Sequence, residues 1–138
     1  MRRYYLDTNI LIFIFFDKDG LSSAISSLLD NYDCCFYTSS ICVLELVHLM
    51  QINKLKSKEI KDAIDIFEYL QEANIQISPV TEKHLKEYAN LPYYKDHNDP
   101  NDRIIIAQSI SDKIALISSD TKFDRYIENG LKFEFNKR

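Results

Sequence analysis

Glycine is almost missing: the 138 residues contain two, Gly20 and Gly130, and neither lies in a GxGxxG or GxxxxGK arrangement. Loops that cradle nucleotide phosphates need glycines at those spacings, so nucleotide-cradling sites of both kinds are excluded. Cysteine is equally sparse. Cys34, Cys35 and Cys42 are odd in number, two are adjacent in an apolar stretch, and none forms a C-x2-C pair. They read as reduced packing residues of a cytoplasmic protein. Long apolar runs are absent too. Ile10 to Phe16 is only seven residues, whereas a membrane span requires ~20. Arg2 and Arg3 before that run resemble the start of a signal peptide, but Asp7 and Asn9 interrupt it and no small-residue cleavage site follows. No membrane association is expected. Finally, the chain lacks a basic excess: its formal charge is -4. It therefore cannot hold nucleic acid by phosphate neutralisation alone, and if it acts on a phosphodiester, cations must first screen its acids.

What is present fits one globular domain covering residues 1–138, since 46% of the residues are hydrophobic. Short apolar runs at Tyr4 to Leu6, Cys34 to Tyr37, Ile75 to Ile77, Ile114 to Ile117 and Leu131 to Phe135 read as strands. Helical patterns lie between them. The clearest is Ser57 to Glu72, where Ile60, Ile64, Phe67 and Leu70 recur at helical spacing. Strands alternating with helices predict a parallel sheet between helix layers, joined by right-handed crossovers. In such sheets the functional crevice lies outside the carboxyl ends of the strands.

Acids collect there. Asp7 directly follows the first strand, Asp120 comes three residues after Ile117, and Asp102 opens the helix Pro100 to Ser111 that precedes the Ile114 to Ile117 strand. Each also has a structural explanation. Asp7 and Asp120 sit where N-caps sit, before the helical stretches Ile10 to Phe16 and Thr121 to Ile127. Asp99 with Pro100 makes an N-cap and N1 pair, which puts Asp102 at N3, where the helix dipole favours a carboxylate. Glu45 is different. It lies within Ile41 to Met50, a helical stretch apolar on nearly every side, too far from either end to cap anything. A buried carboxylate needs a proton, a cationic side chain or a metal, and the nearest basic residue after it, Lys54, is more than two turns away.

Oxygen ligands without histidine or cysteine select hard cations such as Mg2+ or Mn2+. A bound ion of this kind lowers the pKa of water and stabilises a departing phosphoester oxygen. The histidines carry less weight: His48 and His84 suit packing or surface roles, while His97 orders the loop before Asp99 or touches substrate. Lys54, Lys56, Lys58 and Lys61 form either a solvated helix start or a basic track for an RNA backbone. Asp124 reads as a surface helix position or an assisting acid.

The ordered motifs resemble the PIN-domain family. Tyr5-Leu6-Asp7-Thr8-Asn9 is similar to its first motif, and Ser40 with Val43-Leu44-Glu45-Leu46 to its second. His97-Asn98-Asp99-Pro100-Asn101-Asp102-Arg103 is similar to the third, and Leu116-Ile117-Ser118-Ser119-Asp120 with Phe123 to the fourth. One departure is Asn101, where related versions carry Phe. The resemblance implies an α/β fold with three α/β/α layers and a central parallel sheet of about five strands. It also implies endonucleolytic cleavage of RNA dependent on Mg2+ or Mn2+, as in VapC-like toxins of toxin-antitoxin pairs. Asp7, Glu45, Asp102 and Asp120 match the acidic quartet, and Thr8, Asn9 and Ser118 match supporting polar positions. A small antitoxin protein and a homodimer follow as expected partners. Two alternatives stand beside this reading: a PIN scaffold that binds without turnover, and a haloacid-dehalogenase-like phosphatase. The phosphatase needs a second acid two residues after the first, where this chain has Asn9. A receiver domain needs an Asp after a central strand, which neither Tyr37-Thr38 nor Ile77-Ser78 provides.

Overall fold

The computed structural model describes residues 1–137. Strands β1 (Arg2–Leu6), β2 (Cys34–Ser39), β3 (Ile75–Ser78), β4 (Ala115–Ser118) and β5 (Phe133–Phe135) form one sheet. All pairings are parallel and the order is β3-β2-β1-β4-β5. Every apolar run expected to be a strand is one, with ends shifted by a residue or two. Parallel neighbours cannot be joined by tight hairpins, so helices cross between them. These are α1 (Thr8–Phe16), α2 (Ser23–Leu29), α3 (Ser40–Gln51), α4 (Ile66–Glu72), α5 (Glu82–Asn90) and α6 (Pro100–Asp112), plus a 3-10 segment, Thr121–Asn129. The result is the expected three-layer α/β/α sandwich. Among the described residues, no helix is long and apolar enough to cross a membrane.

Strand order decides where a site can form. The chain starts on β1 in the centre, adds β2 and β3 on one side, then returns to the other side for β4 and β5. Connections diverge between β1 and β4, and the ends of those two strands open a crevice. Asp7 extends the pairing to the edge of that crevice, its amide donating to the Ile117 carbonyl at 3.1 Å. Beneath it, Leu6, Ile10, Leu11, Leu46, Ile106, Leu116, Ile117, Phe123 and Tyr126 are fully buried. The two glycines each meet a local need. A Cβ on Gly20 would overlap one edge of the Phe13 ring, and Gly130 closes the 3-10 segment at φ +102°.

Two expectations are corrected and a third is sharpened. Ser57 to Glu72 is not one helix: only Ile66–Glu72 is α-helical, after a 3-10 turn at Ala63–Asp65. The Ser57 hydroxyl accepts from the amides of Glu59 and Ile60 (3.1 and 3.3 Å), and Asp62 is extended, which breaks the helical path. Burial consequently falls on Ile60, Ile66 and Leu70, while Ile64 and Phe67 are 73% and 44% exposed. Lys54, Lys56, Lys58 and Lys61 therefore lie outside any α-helix and are exposed. Second, α3 is not buried all round, since Leu44 is 61% exposed. Third, Thr121–Asn129 is 3-10, and its buried residues Phe123 and Tyr126 follow the three-residue period of that helix.

Away from the crevice, α5 and α6 are joined by a partly buried polar network. Asp112 accepts from the Tyr5 hydroxyl at 2.6 Å and lies 2.9 Å from His84 Nε2, while His84 Nδ1 accepts from the Thr81 amide at 3.0 Å. Burial pushes the Asp112 carboxyl up, but the hydrogen bonds from Tyr5 and His84 outweigh it and hold it below the usual range. Burial and the bond to Asp112 push the Tyr5 hydroxyl up to about 12. His84→Ala should cost about 1–2 kcal/mol in urea unfolding, because it removes a buried ring and one hydrogen-bond partner of the partly buried Asp112, which keeps its bond from Tyr5. A loss below about 0.5 kcal/mol would show that this network does not hold the helices.

Candidate functional site

Asp7 follows β1 with extended backbone (φ -71°, ψ 163°) and is the N-cap residue of α1. Its Oδ1 accepts from the Thr8 amide at 2.8 Å, and its Oδ2 accepts from the Ser118 hydroxyl at 2.7 Å and from Asn9 Nδ2 at 3.1 Å. The Ser118 hydroxyl spends its proton on Asp7 and accepts from the Asp120 amide at 3.1 Å and Asn9 Nδ2 at 3.2 Å. Asn9 Oδ1 receives the Ser119 amide at 3.1 Å. On the other side, the Thr8 hydroxyl donates to Glu45 Oε1 at 2.9 Å. Thr8, Asn9 and Ser118 thus tie Asp7 to Glu45 and to the backbone of Asp120.

Glu45 is only partly buried on α3, which corrects the expectation of a helix enclosed on all sides. Its other expected alternative, a cationic partner, is absent: among the described residues no Lys, Arg or His pairs with it. Arg103, adjacent to Asp102, is turned elsewhere. Its guanidinium donates to the carbonyls of Leu91 (3.4 Å) and Pro92 (3.2 Å) and lies 4.6 Å from the Tyr88 ring centroid.

The cap readings hold, and they leave oxygens over. Asp99 accepts from the Asn101 amide at 3.0 Å, so it caps α6 and places Asp102 in the first turn. Asp120 Oδ1 accepts from the Lys122 amide at 2.9 Å while its Oδ2 lies 3.5 Å from His97 Nε2. Asp102 Oδ2 lies 3.8 Å from that same nitrogen. His97, Asp102 and Asp120 form a cluster whose ligand atoms lie within 4.8 Å of one another. Asp124 is exposed.

One supporting residue was not foreseen. Asn136 is fully buried beyond β5 and its Nδ2 donates to Gly20 O and Ser119 Oγ, both at 2.8 Å. Its Oδ1 accepts from the Ser22 amide at 2.7 Å, so it fixes the turn after β4 against the segment leading into α2. A lone Asn near the end of a chain carries no pattern that would single it out.

Burial and mutual repulsion act on the acids together. Burial pushes the Asp7 carboxyl up to about 6, against hydrogen bonds from Ser118 and Thr8 and with help from the charges of Glu45 and Asp120. Asp102 is pushed up to about 7, first by burial and then by the charges of Asp7, Asp99, Glu45 and Asp120. Glu45 is raised too, chiefly by burial, although its bond to Thr8 opposes this. Carboxyls held so high strongly favour any cation placed among them.

The family model of the PIN domain matches residues 4–129. No curated protein matches the chain in sequence. Among solved structures, VapBC2 from Rickettsia felis, bound to a DNA fragment from its promoter, is similar at a TM-score of 0.72 and 20% identity, covering 98% of this chain and 99% of that one. DNA-bound VapBC from Salmonella typhimurium gives 0.70 and 17%, covering 99% and 100%. VapBC-5 from Mycobacterium tuberculosis, a member of the VapBC family of toxin-antitoxin systems, gives 0.64 and 16%, covering 100% of both chains. At these identities the likeness is one of fold.

The raised carboxyls fix the sign of a pH dependence. Between the unfolded carboxylate range near ~4 and about 7, the cation-free folded chain binds more protons than the unfolded chain, so stability falls as pH rises through that window. In EDTA, the melting temperature should be lower at pH 8 than at pH 5.5. Asp102→Asn should flatten this dependence and raise stability at pH 8 by about 1–2 kcal/mol. Glu45→Gln should keep or raise it, and a large loss there would reveal a structural ion pair instead.

Proposed function

The chain belongs to the PIN domain family, and from that premise we propose that it is a Mg2+- or Mn2+-dependent endoribonuclease acting in the cytoplasm, with residues 1–138 forming a single PIN domain. Asp7, Glu45, Asp102 and Asp120 hold the ions and carry catalysis. The observation behind this is that four carboxylates from separate segments repel one another across one crevice, while among the described residues none of them has a Lys or Arg partner.

The donor set fits such a cation. A carboxylate has about four lone-pair sites, and Asp7 uses three for Thr8, Ser118 and Asn9, leaving one. Thr8 occupies one Glu45 oxygen and leaves the other. Asp102 presents its carboxyl from the first turn of α6, and Asp120 keeps Oδ2. When bound, a hard divalent cation supplies Lewis acidity to water and to a phosphoryl oxygen. Ser118 and Asn9 hold the Asp7 carboxylate in one orientation, and Thr8 keeps Glu45 beside it. Asp102 and Asp120 are partly exposed, so that a phosphodiester would reach the rim from their side.

A toxin role is the further part of the proposal. It is supported by the fold shared with VapBC-5, which belongs to a family of toxin-antitoxin systems. A small antitoxin would then occlude the acid rim, a basic side chain competing with the cation. A homodimer would cover the exposed apolar strip of Leu44, Ile64 and Phe67.

The purified chain should cleave structured RNA with Mn2+ and lose that activity in EDTA. Asp7→Asn should reduce the rate about 100-fold or more. Cleavage that survives both chelation and the substitution would remove the proposed chemistry.

A further inference from the structure

We propose that His97 is a nitrogen ligand for a divalent cation shared with Asp102 and Asp120, giving this side of the crevice a preference for Mn2+ over Mg2+. The proposal rests on the metal-dependent reading above and adds a ligand to it.

The imidazole is held from several directions. His97 is 6% exposed and packs edge-on against Phe123 with ring centroids 5.4 Å apart. Its loop is pinned by Arg103 on the carbonyls of Leu91 and Pro92, by Lys122 Nζ on the Asp96 carbonyl at 3.0 Å, and by the two-point Arg125–Asp96 pair at 2.6 Å. Nδ1 lies 2.9 Å from the Tyr126 hydroxyl. Nε2 is buried and has no hydrogen-bond partner among the described residues.

That orphaned nitrogen faces two carboxylate oxygens, Asp120 Oδ2 at 3.5 Å and Asp102 Oδ2 at 3.8 Å. Both separations are too long for good hydrogen bonds. They suit ligands of a common ion, because two atoms each about 2.1 Å from one metal stand roughly 3.0 to 3.8 Å apart at angles of about 90 to 130°. With Nδ1–H donating to Tyr126, the Nε2 lone pair points at two anionic oxygens, which is unfavourable unless a cation lies between them. A ligating histidine commonly donates its other ring N–H to a fixed acceptor, the part that Tyr126 would play in that tautomer. Imidazole is a poor ligand for Mg2+ and an acceptable one for softer first-row ions. The competing arrangement is Nε2–H aimed at Asp120, in which His97 only positions that acid.

Pulsed electron paramagnetic resonance of Mn2+ added to the purified chain separates the two. A directly coordinated nitrogen should appear in the wild type, vanish in His97→Gln and persist in His48→Gln. His48 is exposed on α3, and both ring nitrogens of His84 are engaged with Thr81 and Asp112. Mn2+ affinity should fall about 10-fold or more in His97→Gln, with a smaller change for Mg2+. If His97→Gln does not fold, a nitrogen signal retained in His48→Gln still assigns the ligand. A Mn2+ site that is weakened by Asp102→Asn but shows no nitrogen coupling in the wild type overturns the role of His97 and leaves the carboxylate site standing. Failure to find any Mn2+ site sensitive to Asp102→Asn overturns both.

Discussion

Burial of carboxylates that the fold brings together, reinforced by their mutual repulsion, is the constraint on which the rest of the structure depends. Asp7 is buried at the end of β1, and the charges of Glu45 and Asp120 act on it there. Asp102 enters from α6 under the influence of all three. A protein that needed only stability would place a lysine or arginine among them, or replace them with apolar residues. Here the nearest arginine in sequence, Arg103, is spent on loop carbonyls and aromatic rings. Hydroxyl and amide groups stand around Asp7 in its place. They orient the carboxylate without supplying a counter-charge.

The fold supplies the convergence through the order of its strands. Because β2 and β4 flank β1 on opposite sides, the segments after β1 and β4 are adjacent, and α3 follows directly after β2. Ser118, the last residue of β4, reaches both Asp7 and the Asp120 amide. Asn136 fixes the turn at Ser119 from the far end of the chain. The site is therefore assembled by secondary structure and a few buried polar side chains, which keeps its geometry tighter than a set of long loops would.

Much of this was legible in the sequence because it rests on local chemistry. Strand positions followed from short apolar runs, and the caps at Asp7, Asp99 and Asp120 followed from residue type and from Pro100. What the sequence obscured depended on tertiary context. The apolar spacing of Ile60, Ile64, Phe67 and Leu70 suits a helix, yet the Ser57 turn and the extended Asp62 divert the chain and leave two of the four outside the core. The apolar surround of Glu45 suggested enclosure, but Leu44 faces outward and Glu45 is partly exposed, so its isolation from cations, not the depth of its burial, is what makes it unusual. The setting of His97 could not be read from spacing, since it is defined by Tyr126, Phe123 and Asp120, all at least twenty residues away.

Anomalous diffraction from crystals soaked in Mn2+ would bear most directly on the acidic crevice. A peak within coordination distance of oxygens from Asp7, Glu45, Asp102 and Asp120 is the expected result. Mn2+ confined to surface sites, with a lysine, an arginine or short carboxyl-to-carboxyl hydrogen bonds neutralising the crevice, would contradict it.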